Sequence, residues 1–278
     1  MLQVSELYIY PIKSLKGIKV TEALVTDRGF KYDRRWMLVD ANNRFISQRE
    51  LPEMALLSVN IANDHLAVVN TVDNASIDIP FAPQKQAIIT VYVWDDVCTG
   101  QLVNDAVDNW FTQQLGTNCR LVYMPDESIR FTDPQYSVED LTSFSDGYPF
   151  LLAGQASMDD LNKRLSMHLK IDRFRPNIVF KGGVPFQEDT INSFSINDIH
   201  FNGVKLCARC PIITIDQDTA VKGKEPAKTL ASYRFKNNNV YFGQNLIHSG
   251  TGTIKIGDEL VVLSLHSEER FIITKKIH

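Results

Sequence analysis

The 278-residue sequence has only four cysteines, too few for a disulfide framework in a chain this long. Reduced thiols and a cytoplasmic home are therefore expected. Positive charge is not in excess: 29 Lys and Arg face 33 Asp and Glu, for a net charge of −4, which leaves no electrostatic footprint for nucleic acid. The basic residues are scattered, so a polybasic membrane patch is absent. No apolar run approaches the ~20 residues that span a bilayer. The opening Met1-Leu2-Gln3-Val4-Ser5-Glu6 lacks the basic and apolar regions of a signal peptide. There is no G-x-G-x-x-G dinucleotide loop, no internal repeat and no low-complexity segment. The length suits one large or two ordinary domains, with a core that needs no staples.

What is present gathers in Cys207-Ala208-Arg209-Cys210-Pro211. Thiolate is a soft ligand, suited to zinc, copper(I), iron–sulfur or molybdenum-type centres. A neighbouring Arg lowers a thiol pKa and can grip an anion. Structural zinc is disfavoured, because Cys98 and Cys119 form no second C-x-x-C and no paired His follow. A thioredoxin-like pair should open a helix, whereas Pro211 and the β-favouring Ile212-Ile213-Thr214-Ile215 follow here. From the motif alone, two cysteines that merely pack remain an open alternative.

Most of the chain reads as short strands. In the first half these are 4–12, 18–26, 35–40, 44–48, 56–62, 65–71, 76–79, 87–93 and 120–124, with a hairpin around Ala41-Asn42-Asn43. One helix interrupts them at 102–115, where Val103, Val107, Trp110, Phe111 and Leu115 recur at helical spacing before Gly116. A polar loop, 125–145, marks a domain boundary near its start. The second half predicts strands at 149–153, 177–180, 194–196, 199–207, 212–216 and 252–263, and a hairpin turn at Asn202-Gly203. Helices are expected at 157–165, capped by Ser157 with Asp160 three residues on, and at 228–234.

Three basic segments suit an anion. Lys13-Ser14-Leu15-Lys16-Gly17 offers an ammonium, a hydroxyl and free backbone N–H groups between two strands, though without the glycine spacing of a P-loop. Asp33-Arg34-Arg35-Trp36 carries adjacent guanidinium groups that strand alternation would send to opposite faces. In Arg173-Phe174-Arg175-Pro176-Asn177, the proline is expected to hold Arg175 extended at a strand entrance. Taken alone, the Lys13 segment reads rather as a solvated turn and Arg34-Arg35 rather as a surface pair bridged to Asp33. Together they suggest a phosphorylated polar cofactor near a thiolate.

Tyr10-Pro11-Ile12-Lys13-Ser14, Asp33-Arg34-Arg35-Trp36, Phe174-Arg175-Pro176-Asn177, Cys207-Ala208-Arg209-Cys210, Phe242-Gly243-Gln244-Asn245 and the closing Gly252-Thr253-Ile254-Lys255-Ile256-Gly257-Asp258, in this order, resemble the MOSC family. That family is named after the C-terminal domain of molybdenum cofactor sulfurases, and the likeness is to its bacterial and mitochondrial amidoxime-reducing members. The resemblance implies a mainly β fold: an N-terminal β-barrel-like domain, residues 1–124, then a MOSC β-barrel domain, residues 125–278, with a few short helices. It implies a molybdopterin-bound molybdenum with Cys210 as the ligand and Cys207 as the less essential cysteine. Lys13, Ser14, Arg34, Arg175, Asn177 and Arg209 match positions that hold the pterin and its phosphate. Gly147 and Tyr148 match a cofactor-lining segment, through backbone groups. Ala208 stands where relatives often have Ser, so that hydroxyl is lost.

The activity implied is reduction of N-hydroxylated compounds, amidoximes and hydroxylamines, by oxygen-atom removal at a Cys-ligated molybdenum. The alternatives are a persulfide carrier for metallosulfur assembly and a non-catalytic molybdopterin carrier. Arg209, beside the ligand, is expected to favour ionised Cys210. No cysteine follows Cys210, so an internal iron–sulfur relay is not expected. A separate electron-transfer protein is expected instead, of ferredoxin, flavodoxin or cytochrome b5-like reductase type.

Overall fold

Strand alternation builds the centre of the fold. In the computed structural model, which describes residues 1–271, the first strand, Leu2–Ile9, turns Val4, Leu7 and Ile9 inward. It pairs antiparallel with Ile178–Lys181 on one side and Glu259–Leu265 on the other. From Glu259–Leu265 the sheet continues through Ile191–Ile196, Ile199–Ala208 and Asn239–Ser249 to Phe150–Gly154, which returns to Ile178–Lys181. The result is a closed seven-stranded barrel, with no free edge along the ring. Its single parallel pair, Phe150–Gly154 with Ile178–Lys181, is bridged by the helix Gln155–Arg164, the crossover that parallel strands require. Phe150, Phe194 and Phe201 fill the interior, the Phe201 ring centroid lying 5.4 Å from that of Phe150 and 5.0 Å from that of Phe194.

The rest of the first half forms a sheet of Trp36–Val39, Arg120–Tyr123, Asp96–Leu102 and Ile88–Val93, and a meander of Leu57–Ile61, His65–Asn70 and Ser76–Pro80. The helix Asp105–Leu115 packs Val107 and Phe111 against this second core. Asn104 caps its start by accepting from the Val107 N–H, and Gly116, at φ 63°, ends it as the sequence indicates. The mainly β architecture is therefore the one expected. Hydrogen bonds also cross between the halves: Leu2–Ile9 belongs to the C-terminal barrel, and Gly252–Lys255 pairs with Glu22–Thr26.

Several local expectations are corrected. Residues 212–216 are not a strand; Pro211 opens a 3-10 turn, Pro211–Thr214, at a helical first position where its missing N–H costs nothing. Asn202-Gly203 lies inside the continuous strand Ile199–Ala208, and the hairpin turns at Asn197, φ 53°. Gly203 answers a close approach instead, since a Cβ there would sit 1.3 Å from Gln244 Nε2. Ser157 is no cap: the helix begins at Gln155, and the Ser157 hydroxyl donates to Glu188 and accepts from the Phe186 N–H. Residues 252–263 divide at Gly257, φ 95°, into strands of two different sheets. Residues 44–48 form only isolated bridges through Arg44 and Phe45. The sequence patterns also miss Asp96–Leu102 and Asn239–Ser249 as strands.

Candidate functional site

A cavity of about 550 Å³ is lined by segments from both halves of the chain. Lys13, Ser14, Arg34, Gly147, Tyr148, Arg175, Asn177, Arg209 and Cys210 all line it, so the residues matched to cofactor-holding positions converge on one place, while Lys16, Arg35 and Arg173 do not line it. Unforeseen neighbours join them: Trp94, Asp95, Asp96 and Lys205. The backbone around the cavity is strained. Among the described residues, seven with positive φ are neither Gly nor Asn, and four of them, Ser14, Arg34, Trp94 and Arg175, line it. Non-glycine residues in that region cost roughly 1–3 kcal/mol each and cluster at functional sites.

The strained turns aim the cations. Arg175 was expected to be extended before Pro176; it is instead left-handed, φ 54° and ψ 45°, where it ends the 3-10 turn Ile171–Phe174. Its N–H bonds to Asp172 O at 2.9 Å, and its Nη1 donates to Leu15 O at 2.8 Å. Those two bonds outweigh the steric preference of a residue before proline. The Arg34 Nη1 donates to Asp33 Oδ2 at 2.5 Å and to Asn177 Oδ1 at 3.2 Å. Both guanidinium groups stack on the buried Tyr10 ring, their carbons 4.6 and 4.3 Å from its centroid. Arg35 leaves the cavity for Tyr123, Met124 and Asp126. Asn177 is fully engaged inside the protein: it accepts from Arg34 and the Leu151 N–H and donates to Tyr8 O. It positions Arg34.

Lys13 is buried and donates to Asp146 Oδ1 at 2.6 Å. Burial pulls the Lys13 ammonium down to about 8, with Asp146 partly opposing. Desolvation within the cavity walls opposes ionisation of the Asp146 carboxyl, but the Lys13 charge outweighs it and holds Asp146 well below the usual carboxylate range. The asymmetry follows from position: the Lys13 side chain is 6% exposed, while that of Asp146, open to the cavity, is 73% exposed. Burial likewise lowers Arg175 to about 10.

The cysteine segment differs from expectation in one respect. The Arg209 Nη1 donates to Cys207 Sγ at 2.9 Å, not to Cys210, and its Nη2 donates to Phe174 O at 2.8 Å. Burial raises the Cys207 thiol, and Arg209 offsets this in part. Cys210 faces the cavity at the cap of the following 3-10 turn. Two buried donors, Arg175 Nη2 and Arg209 Nε, have no partner among the described residues. Such orphans are costly and call for an acceptor that the protein does not supply. Five basic side chains line the cavity against three acidic ones. No cluster of three His, Cys, Asp or Glu that could hold a metal occurs among the described residues. A metal held at Cys210 would therefore take its other ligands from a bound molecule. The donor set fits a polyanionic ligand that carries a thiophilic centre.

A profile of the MOSC N-terminal beta barrel domain matches residues 1–118, and one of the MOSC domain matches residues 139–261. The chain is 32% identical over 279 residues to mitochondrial amidoxime-reducing component 1 of Mus musculus, covering 94% of this chain and 82% of that protein. It is also 32% identical to mitochondrial amidoxime-reducing component 1 of Homo sapiens, over 280 residues and with the same coverage. Against the molybdenum cofactor sulfurase of Drosophila grimshawi the identity is 31% over 248 residues, 87% of this chain but 31% of that protein.

Proposed function

From the premise that this chain belongs to the MOSC family, together with the amidoxime-reducing components, we propose that it is a molybdenum-cofactor-dependent reductase of N-hydroxylated compounds. The observation that carries this reading is the convergence of Lys13, Arg34, Arg175, Arg209 and Cys210 on one cavity with unpartnered buried donors. In it, Lys13, Ser14 and the two Tyr10-stacked arginines grip the phosphate and pterin of molybdopterin. Gly147 and Tyr148 line the cofactor through their backbone, Asn177 holds Arg34 in place, and the Cys210 thiolate is the protein's ligand to the metal. Arg209 braces the segment through Cys207 and Phe174 and offers Nε to the cofactor. When bound, the cofactor supplies two-electron removal of oxygen from an N–OH group, leaving amine and water.

Electrons come from a separate ferredoxin-, flavodoxin- or cytochrome b5-like system, and the four free thiols suit a reducing, cytoplasmic setting. No helix among the described residues is long and apolar enough to cross a membrane.

The test is turnover by metal-loaded protein with reduced viologen as donor, against a panel of hydroxylamines, amidoximes, N-oxides and sulfoxides. Reduction of N-hydroxylated members is expected, with none on NADPH alone. The sulfurase relatives motivate a second reading, persulfide or cofactor carriage at Cys210. Failure with the whole panel would make carriage the better account.

A further inference from the structure

The cavity has a wall that its anion-binding groups leave unused. Ile88–Val93 and Asp96–Leu102 pair in register from Val93↔Asp96, so Trp94 and Asp95 are a two-residue hairpin loop. Loops of this length want a positive φ at their first position, and Gly or Asn supplies it cheaply. Here the residue is Trp94, at φ 58°. The indole is pinned rather than loose. The Arg49 guanidinium carbon lies 4.2 Å from its centroid, the Phe45 ring packs against it at 5.1 Å, and Nε1 donates to Asp146 Oδ1 at 3.3 Å. Even so, Trp94 is 42% exposed. A bulky residue thus sits in an unfavourable conformation without the burial that would compensate it, at the rim of the cavity.

Asp95 sets the charge of this wall. Of the cavity's acidic residues, Asp146 is paired with Lys13 at 2.6 Å and Asp96 with Arg130 at 2.7 Å. The Asp95 carboxylate takes part in no hydrogen bond or ion pair among the described residues. A rigid aromatic face beside an unpaired carboxylate recognises a flat, delocalised cation: the ring attracts the charge and the carboxylate accepts two parallel N–H bonds.

We propose that Trp94 and Asp95 are specificity-determining residues, selecting N-hydroxylated amidines and guanidines whose reduced form is a planar cation. This rests on the reductase reading. In that reaction R–C(=NOH)NH2 takes two electrons from the external donor and three protons from solvent. The N–O bond breaks and R–C(NH2)2⁺ and water leave. The wall binds the amidinium end, favouring compounds that can become cationic over N-hydroxy compounds that cannot.

The test separates this from the reductase reading, because it needs no turnover. Benzamidine and its uncharged analogue benzamide are titrated calorimetrically into cofactor-loaded full-length protein, wild type, Asp95→Asn and Trp94→Asn, at matched molybdenum content. Benzamidine should bind at least roughly tenfold more tightly than benzamide, and each substitution should weaken benzamidine roughly tenfold. Asp95→Asn should leave benzamide unaffected. Asn is at ease at positive φ, so Trp94→Asn should melt no lower than wild type. Unchanged benzamidine affinity in both variants overturns the proposal, as does a Trp94→Asn protein that melts lower yet binds normally. Expected binding without any reduction of the panel leaves the cation wall standing and sinks only the reductase reading.

Discussion

Lys13 is the cavity's pH-sensitive cation. Its ammonium is lowered by burial from 10.5 to about 8, so between these values the folded protein binds less of a proton than the unfolded chain. Its contribution to stability is therefore fully present above about 10.5 and lost as pH falls through about 8. Anion binding runs the other way, because it needs the charged form. Phosphate affinity of the cofactor-free protein should fall several-fold between about pH 7 and pH 9. Calorimetry on wild type and Lys13→Met checks this; a wild type as flat as the variant would show that Lys13 does not contact the anion. The two cysteines should also part company. Cys210→Ala should retain almost no molybdenum by elemental analysis, while Cys207→Ala keeps most of it, since Cys207 is already engaged by Arg209 at 2.9 Å. Equal metal content in wild type and Cys210→Ala would remove Cys210 from the ligand set.

Two short elements meet beneath the barrel wall with a carboxyl between them. Glu188, in the 3-10 turn Gln187–Asp189, is fully buried and accepts from Ser157 Oγ at 2.7 Å, near the start of the helix Gln155–Arg164. Its Oε1 has no partner among the described residues. Burial pushes the carboxyl up to about 7, and the Asp189 charge adds to the rise. A raised pKa stabilises in full below about 4.5, and that stabilisation is lost as pH rises to about 7. The loss amounts to about 3 kcal/mol. Glu188→Gln keeps an oxygen for Ser157 and carries no charge, so it should gain stability over wild type at about pH 8 and lose this advantage near pH 5. Urea midpoints at the two pH values measure it; the same difference at both would mean that Glu188 does not titrate between them.

The whole molecule is tied together by its first strand. Leu2–Ile9 closes the barrel between Ile178–Lys181 and Glu259–Leu265. Residues 125–278 expressed alone would expose two unpaired strand edges and the apolar interior that Val4 and Leu7 cover. That fragment should aggregate or melt without cooperativity, and should recover a cooperative transition when co-expressed with residues 1–124. Circular dichroism melts decide the matter, and a cooperative melt of the fragment alone would contradict it. The same tie explains how Lys13 and Arg34 come to face Arg175 and Cys210. The strand that precedes Lys13 runs beside the one that follows Arg175.

Local chemistry was legible in the chain. The thiols of Cys207 and Cys210 stand out by residue type, the ordered set of basic segments stands out only together, and Gly116 ends a helix as read, whereas its start lies at Asp105 behind the Asn104 cap and not at 102. Strand alternation likewise announces a β fold. Only the tertiary structure decided that Arg35 leaves the cavity for Asp126, that Arg209 serves Cys207, and that Gly203 makes room for Gln244. It also turned Arg175 left-handed before Pro176 and put Trp94 in a glycine's place. The physical reason is one of magnitude. Local backbone preferences amount to roughly 1–3 kcal/mol. A few long-range hydrogen bonds and ring stackings, such as Arg175 to Leu15 and Tyr10, match that and override it once the barrel has brought distant segments together.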